Sequence, residues 1–209
     1  AIALGDHSAG GGGQEKNCIA IGRQAGETDQ GKRHDGGVSN QSSIAIGRNA
    51  GKDNQDEGAV AIGESAGSTG LGGQGQARGA VAIGFFAGNN TQGDHSIAIG
   101  VSSGDENQGN KSIAIGDGAL TYNTYSQNIA FGYEAMGYYK YGVHNIAIGI
   151  NALSSSLSTN SNTSGEYNLA FGTQSLTSNT TGSNNIGIGD SALYTNTTGQ
   201  SNIAIVLQQ

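Results

Sequence analysis

The sequence predicts an all-β solenoid, a stack of about twelve short coils in one domain spanning residues 1–209, and three observations carry that prediction. The first is composition: 38 of 209 residues are Gly, Pro and Trp are absent, and only 34% of the chain is apolar. A conventional core needs more large side chains than that, which leaves disorder or a repeat architecture. The second is a tetrapeptide close to Ile-Ala-Ile-Gly. Its glycine recurs at Gly5, Gly22, Gly47, Gly63, Gly84, Gly100, Gly116, Gly132, Gly149, Gly172 and Gly189, and a twelfth copy, Ile203-Ala204-Ile205-Val206, ends on Val. The spacings are 17, 25, 16, 21, 16, 16, 16, 17, 23, 17 and 17, a unit of 16 or 17 residues with three longer coils. The third is the alternation inside each copy.

The residues three and one before the glycine are large and apolar, as in Ile44 and Ile46, Val81 and Ile83, or Ile129 and Phe131. Period two is strand geometry and puts both residues on one face. One coil cannot bury that face, but stacked coils turn it into a continuous apolar column, so these pairs are expected to point inward. The residue between them is Ala in every copy but one, where Gly187 stands. On this reading Ala45, Ala61, Ala82, Ala98, Ala114, Ala130 and Ala147 face outward. A uniformly small outward row implies close approach by a neighbouring chain, so these alanines are expected to form an inter-chain packing ladder.

In the second half of each coil, Ala or Ser stands three residues after the glycine, as in Ala25, Ala50 and Ser103. The next residue is Gly in the early coils (Gly26, Gly51, Gly88) and Leu or Met in the later ones (Leu120, Met136, Leu153, Leu176, Leu193). Turn glycines such as Gly93, Gly142 and Gly182 precede the next copy, so each coil is expected to hold two short strands joined by glycine turns. Twelve coils about 4.8 Å apart would span roughly 55–60 Å. The extra residues of the long coils fall in 27–41, 68–79 and 154–166, which the repeat places at one edge of the stack.

The stack changes character near Gly116. Residues 1–116 hold eight of nine Lys/Arg and twelve of sixteen Asp/Glu, whereas all eight Tyr lie in 117–209. The residue before the first large strand residue is mostly Ser or Ala early and becomes Asn late, at Asn128, Asn145, Asn168, Asn185 and Asn202. Such a row is expected to form a hydrogen-bonded ladder along the stack.

Copies such as Ser43-Ile44-Ala45-Ile46-Gly47 and Ser112-Ile113-Ala114-Ile115-Gly116 resemble the head repeats of YadA-like trimeric autotransporter adhesins. Late copies such as Asn185-Ile186-Gly187-Ile188-Gly189 look more like related repeats of phage tail fibres and other trimeric fibres. The resemblance implies a left-handed parallel β-roll assembled as a homotrimer, with the Ala row as its trimer-packing ladder. It also implies an extracellular place, on a cell or virion surface, and attachment to a glycan or protein receptor. The repeat is longer than that of the usual adhesin head. The chain opens in mid-repeat and carries no neck, stalk or anchor sequence, as expected of a segment of a longer fibre whose parent is an adhesin or a tail fibre. A purely structural spacer is the alternative. An ice-binding solenoid wants a regular row of Thr that the chain lacks.

The chemistry-bearing residues point away from catalysis, and no cofactor or metal is expected. His7, His34, His95 and His144 are scattered, with His95 and His144 at one repeat position that suits a solvated turn. Asp53, Asp56, Glu57, Asp105 and Glu106 lack the recurring Asp of a calcium-binding repeat. Gly10 to Gly13 and the 72–75 stretch lack the Lys-Ser/Thr ending of a phosphate loop. Cys18 replaces a Ser or Ala of its repeat and is expected to pack as a small residue. Net charge is −7, which argues against a nucleic-acid footprint, since phosphate binding needs clustered Lys and Arg, and no stretch approaches the ~20 apolar residues of a membrane span. Tyr122, Tyr125, Tyr133, Tyr138, Tyr139 and Tyr141 cluster within twenty residues and mostly miss the alternating positions. Several are therefore expected to be exposed, with Tyr122, Tyr125, Tyr138, Tyr139 and Tyr141 as candidate receptor contacts.

Overall fold

The computed structural model describes residues 1–9, 14–32, 42–68, 75–155 and 163–207. Each Ile-Ala-Ile copy forms one three-residue strand. They are β1 (Ile2–Leu4), β2 (Ile19–Ile21), β3 (Ile44–Ile46), β4 (Val60–Ile62), β5 (Val81–Ile83), β6 (Ile97–Ile99), β7 (Ile113–Ile115), β8 (Ile129–Phe131), β9 (Ile146–Ile148), β10 (Leu169–Phe171), β11 (Ile186–Ile188) and β12 (Ile203–Ile205). They pair in chain order as one parallel sheet, every strand in the same register, as Ile44↔Val60, Ala45↔Ala61 and Ile46↔Ile62 illustrate. The fold is a parallel β-solenoid, with no helix among the described residues.

The expected second strand per coil does not form. After the motif glycine the chain runs through turns with left-handed residues at the second and fourth positions, as at Asn49 (φ 58°) and Gly51 (φ 48°), or Glu134 (φ 50°) and Met136 (φ 51°). Residues alternating in this way cannot extend into a strand. Their amides still bond between coils: Asn49 N–H donates back to Arg23 O at 2.9 Å, and Gly51 N–H forward to Ala66 O at 2.8 Å.

The motif glycine is fixed by sterics. Gly47 has φ 133°, and a Cβ there would lie 2.5 Å from the carbonyl oxygen of Gly63 in the next coil. Only a residue without a side chain lets successive coils stack at this corner.

The strand faces are reversed relative to the sequence expectation. Ala45, Ala61, Ala82, Ala98, Ala114, Ala130 and Ala147 are all 0% exposed in the single chain, so they point into the roll and form no inter-chain ladder. The paired Ile and Val residues point outward. The coil is so thin that the inward strand position has room for one methyl group, and Ala is uniform because nothing larger fits.

What fills the roll differs between the two halves. In the early coils the core is the two alanine rows, Ala20 to Ala98 from the strands and Ala25 to Ala87 from the turns. Beside them runs a column of glutamines, buried from Gln30 to Gln108 and partly buried at Gln14. Gln14 donates to Gln30 at 2.9 Å, Gln30 to Gln55, Gln55 to Gln76 and Gln76 to Gln92 at 3.1 Å each, and Gln92 to Gln108 at 3.3 Å. Each side-chain amide also reaches across to a strand carbonyl, as Gln55 Nε2 does to Ile44 O at 2.7 Å. The glycine after the turn alanine is what admits them: a Cβ on Gly51 would lie 2.7 Å from the Gln55 amide carbon.

In the later coils that glycine becomes Leu120, Met136, Leu153 or Leu176, all buried, and the glutamine gives way to shorter Asn123 and Asn179 or to Tyr139. The predicted asparagine ladder forms here. Asn145 donates to Asn128 at 3.3 Å, Asn168 to Asn145 and Asn185 to Asn168 at 3.1 Å, and Asn202 to Asn185 at 3.0 Å. Gly with Gln, or Leu with Asn, are two ways to fill the same cross-section.

The long coils do not all insert at one point. Gln30 follows Gly22 by eight residues, as Gln55 follows Gly47, so the extra residues of that coil come after the glutamine. Gln76 follows Gly63 by thirteen, so there they come before it. Residues 33–41, 69–74 and 156–162 themselves lie outside the described residues, as do Gly10 to Gly13 and His34.

Candidate functional site: an apolar sheet face and a tyrosine-bearing turn rim

Because the alanines face inward, the large strand residues line the outer face of the sheet, two per strand. Identical register stacks them into two columns, one beginning Ile2, Ile19, Ile44, Val60 and the other Leu4, Ile21, Ile46, Ile62. In the inner strands each side chain is half-covered by its neighbours above and below. Phe131 is nonetheless 53% exposed and Phe171 51%. Eleven steps of about 4.8 Å by a width of about 10 Å make an apolar strip on the order of 500 Å². A strip of that size is at the upper end of the largest apolar patch a monomer exposes, and such patches are often functional.

The column just after the motif glycine flanks this strip. It is charged in the early coils, where Arg48 pairs with Glu64 of the next coil. It turns mostly apolar at Phe85, Val101, Tyr133 and Ile150, all exposed, interrupted by the exposed Asp117, so the strip is widened over much of the middle of the stack.

The turns on the far side of each coil form a second surface. Tyr125 and Tyr141 are exposed there and Tyr122 and Tyr138 half-buried, while the exposed Tyr133 flanks the strip, in line with the sequence reading that several would be exposed. Tyr139 is the exception among the candidate contacts: it is 0% exposed. Its ring takes the interior place that a glutamine holds in early coils. Its hydroxyl donates to Gly165 O at 3.0 Å and accepts from Asn179 Nδ2 at 3.3 Å. Burial pushes its phenol far above the ordinary range, so it is a structural donor and contacts no receptor.

Four of the rim tyrosines pair between adjacent coils. Tyr122 stacks on Tyr138 and Tyr125 meets Tyr141 edge to face, while His144 lies flat on Tyr167 with ring centroids 4.9 Å apart. His7, His95 and His144 are all exposed, as solvated turn residues should be. Among the described residues, two clefts open on this side. One, of about 200 Å³, lies among Glu106, Tyr122, Lys140 and Tyr141. The other, of about 280 Å³, lies among Glu134, Asn151, Ser155, Gln174 and Tyr194. In the second, Asn151 Oδ1 and Ser155 Oγ are buried without a hydrogen-bond partner among the described residues.

Cys18 is buried with Sγ 3.4 Å from Ser43 Oγ, a packed small residue as expected. Among the described residues no group of three or more His, Cys, Asp or Glu is placed to hold a metal ion. No helix there is long and apolar enough to cross a membrane. No family model, curated protein or solved structure matches this chain.

The site residue class that sequence reading missed is the glutamine column. Gln14, Gln55, Gln76, Gln92 and Gln108 each stand five residues before a strand. That regularity was available, but the insertion after Gln30 breaks it.

Proposed function

We propose that the chain is a structural and surface-binding segment of a trimeric extracellular fibre or adhesin that attaches to a host or target cell surface. The observation that carries this reading is the outward apolar strip of the twelve-stranded sheet. A single chain leaves large Ile, Val and Phe side chains in water along its whole length, which strongly favours burial against further copies. The three-chain number and the left hand of the roll come from the resemblance to adhesin heads and tail fibres. In this assembly the Ile columns, and not the Ala row, meet between chains. The turn rim, with its tyrosines, stays outside as the surface offered to a glycan or protein receptor.

The test is the mass of the purified chain by sedimentation equilibrium and light scattering at micromolar concentration. Three chains per particle are expected. Ile99→Lys with Ile115→Lys, which sets charges at the centre of the packed face, should shift the particle to monomer while the coil spectrum persists. A wild-type monomer would refute the assembly. Binding of the assembled chain to target cells separates an attachment segment from a spacer, and a trimer that binds no cell surface would leave only the spacer role.

A further inference from the structure

The apolar strip does not account for the first rim cleft. Two tyrosine pairs bound it, and one ring of each pair forms its wall. Tyr122 is backed by Tyr138 at 5.4 Å between centroids with 26° between planes, and Tyr141 by Tyr125 at 5.8 Å and 84°. Tyr122 and Tyr141 line the cleft of about 200 Å³ together with Glu106, Asn107, Thr124 and Lys140. The ring behind each lining ring limits its motion before any ligand arrives, so little side-chain freedom remains to be lost on binding.

We infer that this cleft is a subsite for one neutral pyranose ring of a surface glycan. The inference rests on reading the chain as an attachment segment and names the ligand class of its rim. A pyranose presents an apolar C–H face and a belt of hydroxyls. Flat tyrosine faces suit the first. A carboxylate, an amide, a hydroxyl and an ammonium on the same walls suit the second, since together they accept and donate. Burial, helped by the carboxylates of Glu106 and Asp105, raises the Tyr122 phenol above its usual range, so it keeps its proton as a donor. Two carboxylates stand near the cleft against the one ammonium of Lys140, which disfavours phosphate groups and acidic sugars. The cleft is too small for a helix or a duplex and offers no free strand edge along the middle coils, where every strand is paired on both sides.

The full chain is titrated with methyl glycosides of galactose, glucose, mannose, N-acetylglucosamine and N-acetylgalactosamine, followed by tyrosine ring signals in NMR and by calorimetry. An array of immobilised glycans presenting the same rings and sialylated counterparts is probed in parallel. At least one neutral ring is expected to bind. Tyr141→Ala and Tyr122→Ala should each weaken it about ten-fold, roughly 1.4 kcal/mol. Tyr122→Phe keeps the ring face and should stay within about three-fold, while Tyr194→Ala in the other cleft should change nothing. Binding of an immobilised glycan alone, lost in Tyr141→Ala, upholds the subsite within a longer ligand. The inference is overturned if a folded chain takes none of the neutral rings in either format, or binds sialylated glycans only. It is equally overturned if the loss appears in Tyr194→Ala and not in Tyr141→Ala. Each variant is also sedimented: a trimer that takes no sugar refutes this subsite alone, and a monomer that takes it refutes the assembly alone.

Discussion

Gln76→Ala is expected to destabilise the stack by about 3–4 kcal/mol, a large effect for a side chain with no ligand and no charge. Gln76 sits in the middle of the glutamine column and is 0% exposed. Its Nε2 donates to Val60 O at 2.7 Å and to Gln92 Oε1 at 3.1 Å, and its Oε1 accepts from Gln55 Nε2 at 3.1 Å. Nε2 also reaches Ala80 O at 3.1 Å, sharing its two N–H groups among three acceptors. Truncation deletes all of these, about 3 kcal/mol net, and strips Gln92 Oε1 of its donor from that coil. The void left beside Gly67 adds about 1 kcal/mol, because coils pinned by backbone bonds above and below cannot collapse into it. The assay is urea unfolding followed by far-UV circular dichroism, with amide exchange of the Val60–Ile62 and Val81–Ile83 strands. Exchange matters because a stack of nearest-neighbour interfaces need not unfold as one unit. Faster exchange is expected first at these two strands and their neighbours. Thr91→Ala serves as the turn control. A Gln76→Ala loss below about 1 kcal/mol, or exchange that rises evenly along the stack, would refute the idea that the column holds coils together.

Gly100→Ala places a Cβ 2.7 Å from Gly116 O at φ 128°, and should lower stability by at least about 2 kcal/mol by the same urea assay. Tyr139→Phe removes a buried hydroxyl that bridges Gly165 and Asn179, so a loss of about 1–3 kcal/mol in the unfolding free energy is expected. Ser155→Ala deletes a buried hydroxyl with no partner among the described residues, and its melting temperature should stay level or rise. Burial, against opposition from an Asn89 hydrogen bond, raises the Asp105 carboxyl above its usual range. The folded state therefore holds that proton more tightly than the unfolded one, and this group's contribution is present at acidic pH and lost as pH rises through the raised value. Asp105→Asn should accordingly raise the urea midpoint at neutral pH and lose that advantage in acid.

Much of this architecture is legible in the sequence. The glycine frame located eleven of the twelve strands, since a corner where a Cβ strikes the next coil admits no other residue, and the Ile-Ala-Ile alternation located the twelfth, which ends on Val206. The change of composition near Gly116 anticipated the change of filling, because a leucine and a glycine at one inward turn position demand different partners across the roll. The asparagine row predicted its own ladder: identical amides at a fixed register have each other as nearest partners. The exposed tyrosines were found because they miss the repeat's alternation.

Which way the strands face was decided only by the tertiary structure. Period two says that Ile44 and Ile46 share a side and Ala45 takes the other, but it does not say which side is inside. The usual preference for burying the larger pair fails here. A coil of 16 or 17 residues closed by tight left-handed turns has an interior about one methyl deep at the strand, with the rest already taken by glutamine, leucine or asparagine. The isoleucines are therefore left outside, and the chain's largest apolar surface becomes the face it offers to other molecules.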